Sequence, residues 1–535
     1  MLRLLVPLSL LMAVLFATPG KVEAACTGTS PNLVAPTWDD VGINSRNCLS
    51  VVKNGDTITV SPGTYNVTRM TSVNGRKYLT LKLTGTTLQD NVTSQGNTDP
   101  LLAVTESTHG NIRIIGGTLQ SGTGDHLNNG VISLYSAGSN GRPIIITGWN
   151  ASHSRNFINS LSPRGVVYGN TFTGVLWDAP GHCENNAALI RVHTGPTWAT
   201  PPTYGSADAI GPPGQGGEGN VYVENNTILN ALEMLDVAVD ARVVFRFNKV
   251  TNSGIAVHGD SDSGGRYVEI YKNRFIRDGI AYCPKNGNST VNFNGFFNAR
   301  AGTARIWDNI IPALPDVGWG VKTPFFASFW NLARSIGPWG CWVGQPRSAP
   351  AGTVSYPGPH QVGWGYSSGA TVVDARGYGN PGCTFGCSVR QDIEPLYLIG
   401  NTGGGNYDNL IVFNWPCRDT NCSSCPTRQI AAMYIQADRE FYNQIEPASN
   451  FTGASGTGYG LAENRPATCG GGTGKRTAYL KTDVGTWNTS TPAANASGID
   501  GQGVIDICVS NSWQTAAYTP YRYPHPLAGD ITGGR

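Results

Sequence analysis

The sequence predicts an all-β fold, a single-stranded parallel β-helix in which a solenoid carries long loop insertions and a cap at each end. Three observations predict it. One phrase ending in Asn recurs six times along the chain. Its uninterrupted recurrences lie one solenoid turn apart. The composition, with 69 Gly among 535 residues and abundant Asn, Ser and Thr, suits many short strands joined by tight turns.

The phrase reads Val-Val-Tyr-Gly-Asn170, Val-Tyr-Val-Glu-Asn-Asn226 and Val-Val-Phe-Arg-Phe-Asn248. It continues as Val-Glu-Ile-Tyr-Lys-Asn273, Ala-Arg-Ile-Trp-Asp-Asn309 and Leu-Tyr-Leu-Ile-Gly-Asn401. Apolar and polar residues alternate, the period of a half-buried strand. Asn then supplies the turn, because it tolerates the left-handed backbone conformation. Asn226 to Asn248 is 22 residues and Asn248 to Asn273 is 25, the length of one turn of a three-sided solenoid. The longer gaps, Asn170 to Asn226 and Asn309 to Asn401, mark inserted loops. Residues at equal offsets from successive Asn anchors should stack one strand spacing apart, about 4.8 Å. Val223, Phe245 and Ile270 then form an inward ladder, and Glu224, Arg246 and Tyr271 an outward one. Asn226, Asn248 and Asn273 share amide hydrogen bonds up the stack.

Along the chain, residues 1–24 read as a signal peptide: Arg3 is the positive start, Leu4 to Phe16 the apolar run, and Val22-Glu23-Ala24 the cleavage region. The run is too short for a stable membrane span. Cys26 raises a lipoprotein reading, against which Glu23 stands where a lipobox wants a Leu-like residue. Residues 25–47 read as an N-terminal cap, needed because a bare terminal coil exposes unpaired backbone and core. Residues 48–310 hold the coils, opening with Gly55-Asp-Thr-Ile-Thr-Val-Ser-Pro-Gly-Thr-Tyr65. From 311 to 392 the Asn phrase disappears into a Gly/Pro/Trp-rich insertion with Cys341, Cys383 and Cys387. Residues 393–426 carry the last coils. Residues 427–535 form a C-terminal cap and tail, in which Tyr-Pro-His525-Pro-Leu527 reads as a stiff strap lying back on the body.

The opening-coil phrase, Gly-Asp-Thr followed by Gly-Thr-Tyr, resembles that of right-handed β-helix proteins. With the Asn-turn phrases it resembles the pectin-lyase-like superfamily. Asp236 to Phe275 and the tail Tyr518-Thr-Pro-Tyr-Arg-Tyr-Pro-His525-Pro-Leu527 are similar to exported bacterial parallel β-helix repeat proteins. The resemblance covers about residues 48–310 and 393–430 and the tail, and implies a right-handed parallel β-helix. The superfamily hosts lyases, hydrolases, esterases, phage spikes and adhesins, so it implies the fold more narrowly than the activity.

Charged residues are 13% of the chain and the formal net charge is +2, which argues against nucleic acid as a partner. No later run approaches the length of a membrane span. All 12 Cys follow the leader, and an even count in an exported chain favours disulfides. Cys417, Cys422 and Cys425 are close in sequence, but zinc would require thiolates kept reduced. Connectivity stays open. Sequons such as those at Asn66, Asn288 and Asn450 matter only where the source glycosylates.

Chemistry centres on Asp236, Asp240, Arg242, His258, Asp260, Asp262 and Arg266. By offset from the Asn anchors, Asp236 stacks beside His258 and Asp240 beside Asp262. Stacked carboxylates are costly unless one is protonated or a cation lies between them. Two chemistries follow. Asp240, Asp260 and Asp262 could hold calcium through hard oxygens, the ion offsetting a uronate while Arg242 or Arg266 takes the proton alpha to it. That resembles pectate-lyase-type elimination. Alternatively Asp236, with Asp240 or Asp262, supplies an acid and base for glycoside hydrolysis. His258-Gly259 resembles part of the Gly-His-Gly element of polygalacturonases. Their Asn-Thr-Asp and Asp-Asp elements and the Trp-Ile-Asp-His phrase of pectate lyases are absent. The plain alternative is that Asp260-Ser-Asp-Ser-Gly-Gly265 is turn chemistry. Trp319, Trp330 and Trp364 are candidates for stacking sugar rings, or for packing beneath the long loop. The expectation is a secreted protein, extracellular or periplasmic, that acts on or binds a polysaccharide as a lyase or hydrolase of acidic or plant-type glycans. The competing expectation is a non-catalytic exported adhesin, surface or extracellular-matrix protein.

Overall fold

The computed structural model describes residues 26–44, 46–74, 78–92, 100–106, 112–121, 130–136, 143–153, 156–160, 164–174, 188–193, 220–231, 233–238, 241–257, 259–260, 263–265, 267–276, 296–311, 327–331, 362–366, 391–402, 410–414, 435–444, 450–470, 476–488 and 503–529. Most form short strands in three long parallel sheets. The chain visits the sheets in rotation. Thr57–Val60 lies in the first, Gly63–Val67 in the second and Thr71–Asn74 in the third. Leu79–Lys82 then returns to the first sheet beside Thr57–Val60. The first sheet continues to Phe441–Asn443, the second to Arg274–Ile276 and the third to Leu410–Asn414. This is an all-β parallel solenoid arrangement, in which each turn contacts chiefly its neighbours.

Period-two alternation turns one side of each strand into a shared interior. Val223 pairs with Phe245 and Phe245 with Ile270, and all three are buried in the continuous apolar core. The amide ladder runs further than three residues. Asn170 donates through Nδ2 to Oδ1 of Asn226, and the pattern repeats from Asn226 to Asn248, Asn273, Asn309 and Asn401 at 2.8–3.0 Å. Each Oδ1 also accepts the backbone N–H of the Asn one turn earlier. The left-handed residue is not the ladder Asn but the one before it: Gly169, Asn225, Phe247, Lys272, Asp308 and Gly400 have φ of 51–65°. The ladder Asn keeps ordinary backbone geometry, which leaves its amide aimed along the stack.

At the start of the solenoid, two single-turn helices, Asp39–Gly42 and Cys48–Val51, add Trp38, Val41 and Cys48 to the core. A Cys26–Cys48 disulfide joins this end. Within the 311–392 stretch, Ala327–Asn331 is a strand of the third sheet, paired with Phe297–Ala299 and Leu410–Asn414. No helix among the described residues is long and apolar enough to cross a membrane.

The outward ladder Glu224–Arg246–Tyr271 is in the expected register but does not face water. A four-stranded sheet, Thr457–Gly460, Ala478–Lys481, Val504–Val509 and Ser512–Tyr518, covers that face of the first sheet. Cys469–Cys508 braces it. The other eight cysteines lie outside the described residues. Tyr271 stacks on Trp307 at 4.4 Å and Phe247 on Tyr523 at 3.6 Å. The strap follows. Arg246 donates to Glu224, to the Tyr271 hydroxyl, and to the carbonyls of Tyr521 and Arg522. The His525 N–H donates to Glu224 at 2.7 Å. A buried guanidinium is tolerable only with its donors satisfied in this way.

Candidate functional site on the third sheet

The third sheet positions one predicted candidate, Asp236, in a charged pair with Arg191. In Glu233–Ala238, Leu235 and Val237 point into the core, so Asp236 points out. One turn earlier, in Ala188–His193, Ile190 and Val192 are core and Arg191 points out. The two are register partners. Arg191 Nε donates to Asp236 Oδ2 at 3.0 Å, with the Arg191 side chain 30% exposed and that of Asp236 only 3%. The carboxylate is thus a buried anchor and the guanidinium the part that reaches solvent.

The same outward row continues on both sides. Ser133 and Asn159 precede Arg191, and Ala256, Asn298 and Ser328 follow Asp236. These flanking residues are buried although they point away from the core. Ser133 Oγ and Asn298 Oδ1 have no hydrogen-bond partner among the described residues. From Ser133 to Ser328, Arg191 is therefore the described residue at which this row meets solvent.

The register corrects one expectation. Asp236 stacks beside Ala256, not beside His258. The connection from Asn226 to Glu233 is one residue longer than that from Asn248 to Gly254, and a bulge between Glu233 and Leu235 adds another. Equal offsets therefore slip by two, which preserves the side of the sheet but changes the partner. Arg242 opens the first-sheet strand Arg242–Arg246, opposite Tyr267, while Asp236 sits on the third sheet. Asp260 lies in a short antiparallel hairpin, Gly259–Asp260 with Ser263–Gly264, which is turn chemistry at the backbone level. Trp330 is in the third-sheet strand already described, and Trp364 in a two-stranded ribbon opposite Ile393. Asp240, His258, Asp262, Arg266 and Trp319 lie outside the described residues, as does the Asp240–Asp262 stack. Among the described residues no three His, Cys, Asp or Glu gather as a metal cluster. Away from this sheet, Arg439 and Glu440 form the local ion pair that their adjacency suggests.

Arg191 was not foreseen. Its strand lies between long stretches without the Asn phrase, so no anchor assigns its register. The available signal was the alternation Ala-Leu-Ile-Arg191-Val-His, one charge in an apolar strand. The fold and this pair define an all-β parallel solenoid with an ion pair on one outer face. No family model matches the chain, and neither does a curated protein or a solved structure.

Proposed function

We propose that this chain is an exported right-handed parallel β-helix of the pectin-lyase-like kind that engages an acidic polysaccharide at the outer face of its third sheet. The rotation through three parallel sheets and the Asn ladder support the architecture. The disulfides Cys26–Cys48 and Cys469–Cys508, with the leader-like residues 1–24, support export.

The observation that carries the glycan reading is the Arg191–Asp236 geometry. Nε is held by a buried carboxylate, and the outer nitrogens have no partner among the described residues. A guanidinium pinned in this way offers a planar fork for a sugar carboxylate. Asp236 is then a positioning residue rather than the acid of a hydrolase. That favours holding the glycan, the adhesin-like version of the reading, over cutting it through Asp236. Cutting by elimination would instead draw on Asp240, Asp260 and Asp262 with calcium, and on Arg242 or Arg266.

The test is a panel of acidic and neutral plant polysaccharides, assayed for binding, for new reducing ends and for absorbance of unsaturated uronides, with calcium and with chelator. Binding of uronate polymers that weakens at least tenfold in Arg191→Ala is expected. Product formation in either chemical assay assigns cutting, and binding without product assigns holding. A protein that neither binds nor cleaves any member of the panel would sink the reading.

A further inference from the structure

The second sheet presents a different outer face. Its eight strands are parallel and in continuous register from Gly63–Val67 to Arg274–Ile276. One outward column holds Thr64, Thr87, Thr118, Asn150, Thr171 and Thr227, one residue per turn. Beside it run Asn66, Gln89, Gln120, Ser152 and Thr173, and the same column continues through Leu229, Thr251 and Ile276 in the last three strands. All are exposed or half-buried, so this face is open, whereas the outer face of the first sheet is covered from Ile145 onward. Neither column contains an acidic residue. The first column ends in Lys249 and Arg274, which are direct register partners and both exposed. Neither side chain has an acidic or hydrogen-bonding partner among the described residues. Adjacent like charges on a sheet oppose one another, so the fold gains nothing from this pair.

We infer that the outer face of the second sheet is a binding track for a linear acidic polysaccharide, laid across the strands with its carboxylates at Lys249 and Arg274 and its hydroxyls along the Thr and amide columns. Two features select this occupant. The two cations, which have no acidic partner among the described residues, complement an anionic polymer. The hydroxyl and amide side chains repeat at the strand spacing of about 4.8 Å, close to the advance per residue of an extended pyranose chain. Over eight turns the track is about 34 Å long, enough for several sugars. The inference rests on the polysaccharide reading for the class of polymer, but its residues are separate from Arg191 and Asp236.

Affinity electrophoresis in gels containing polygalacturonate, neutral galactan or duplex DNA tests it. The proteins are the wild-type chain, Lys249→Glu/Arg274→Glu, Thr171→Glu and Arg191→Ala. The altered second-sheet residues are exposed or half-buried, so an unchanged thermal midpoint verifies folding. The expected result is retardation by polygalacturonate that fades as salt is raised. It weakens at least tenfold in the double variant and several-fold in Thr171→Glu. Wild-type retardation that both variants retain overturns the track, and so does equal retardation by duplex DNA. If only Arg191→Ala releases the protein, the track falls and the third-sheet reading stands. If only the second-sheet variants release it, the reverse holds. A wild-type protein retarded by galactan and not by polygalacturonate overturns the track while leaving a polysaccharide function in place.

Discussion

Asn248 makes four side-chain hydrogen bonds that no other residue type could make together. Its amide donates to the Val223 carbonyl and to Asn273 Oδ1, and its own Oδ1 accepts from the backbone and side chain of Asn226. Asn248→Ala leaves these buried partners unmatched, and should lower unfolding stability by about 3 kcal/mol. Urea unfolding measures it, and a loss under about 1 kcal/mol would contradict a ladder role. This part of the structure was legible because the ladder admits only Asn. The left-handed position one residue earlier was not. Gly, Asn, Phe, Lys and Asp all occupy it, and where a side chain is present its partner differs: Phe247 stacks on Tyr523, while Lys272 pairs with Asp308. Phe247 bears a backbone cost of about 1–2 kcal/mol there, and its stack on Tyr523 helps offset it.

At the scale of elements, the strap and the C-terminal sheet are coupled to the first sheet through buried ionisable groups. Burial, with the charge of Arg246, pulls the His525 imidazole down to about 3. Its ring packs against both Tyr222 and Tyr521, and Nδ1 accepts the Leu527 N–H. The folded value lies below the ordinary 6.5, so stability is complete above pH 6.5. It falls by about 1.4 kcal/mol for each unit toward pH 3. His525→Gln should remove that component, giving a shallower acid limb in denaturation measured between pH 6.5 and 4. Glu269 has the opposite sign. Burial raises its carboxyl above the ordinary range, although the Tyr518 hydroxyl bonds to it. Stability from the protonated form is lost as pH rises, so Glu269→Gln should unfold no more easily than wild type at pH 8. Easier unfolding would mean that the charged form is favoured. Reducing Cys469–Cys508 opens a loop spanning 39 residues and should cost the C-terminal sheet about 4 kcal/mol on loop entropy. Cysteine count alone left its partner undetermined. The strap was foreseeable from its prolines, while the burial of Glu224, Arg246 and Tyr271 was not, because alternation reports which side a residue faces and not what later covers it.

For the whole molecule, a solenoid places every functional choice on one of three faces, and here the faces differ. The first is covered by the chain's own C-terminal sheet and strap from Ile145 onward. The second is an open polar track ending in two cations. The third carries a buried polar row that reaches solvent at Arg191. The sequence pointed to the strand that carries Asp236, because the Asn anchors count turns correctly, but it gave no register for Arg191. It misassigned the partner of Asp236 because one longer connection and one bulge are invisible to a count. It also passed over the second face, although a polar residue follows several anchors directly, as Thr171, Thr227, Lys249 and Arg274 show. Calorimetric titration of a defined oligogalacturonate into wild type, Arg191→Ala and Asp236→Asn tests the central claim most directly. Saturable binding should weaken at least tenfold, about 1.4 kcal/mol, in Arg191→Ala, and by a smaller factor in Asp236→Asn, where the guanidinium remains but loses its anchor. Equal affinity in all three proteins would contradict a glycan contact at the third sheet.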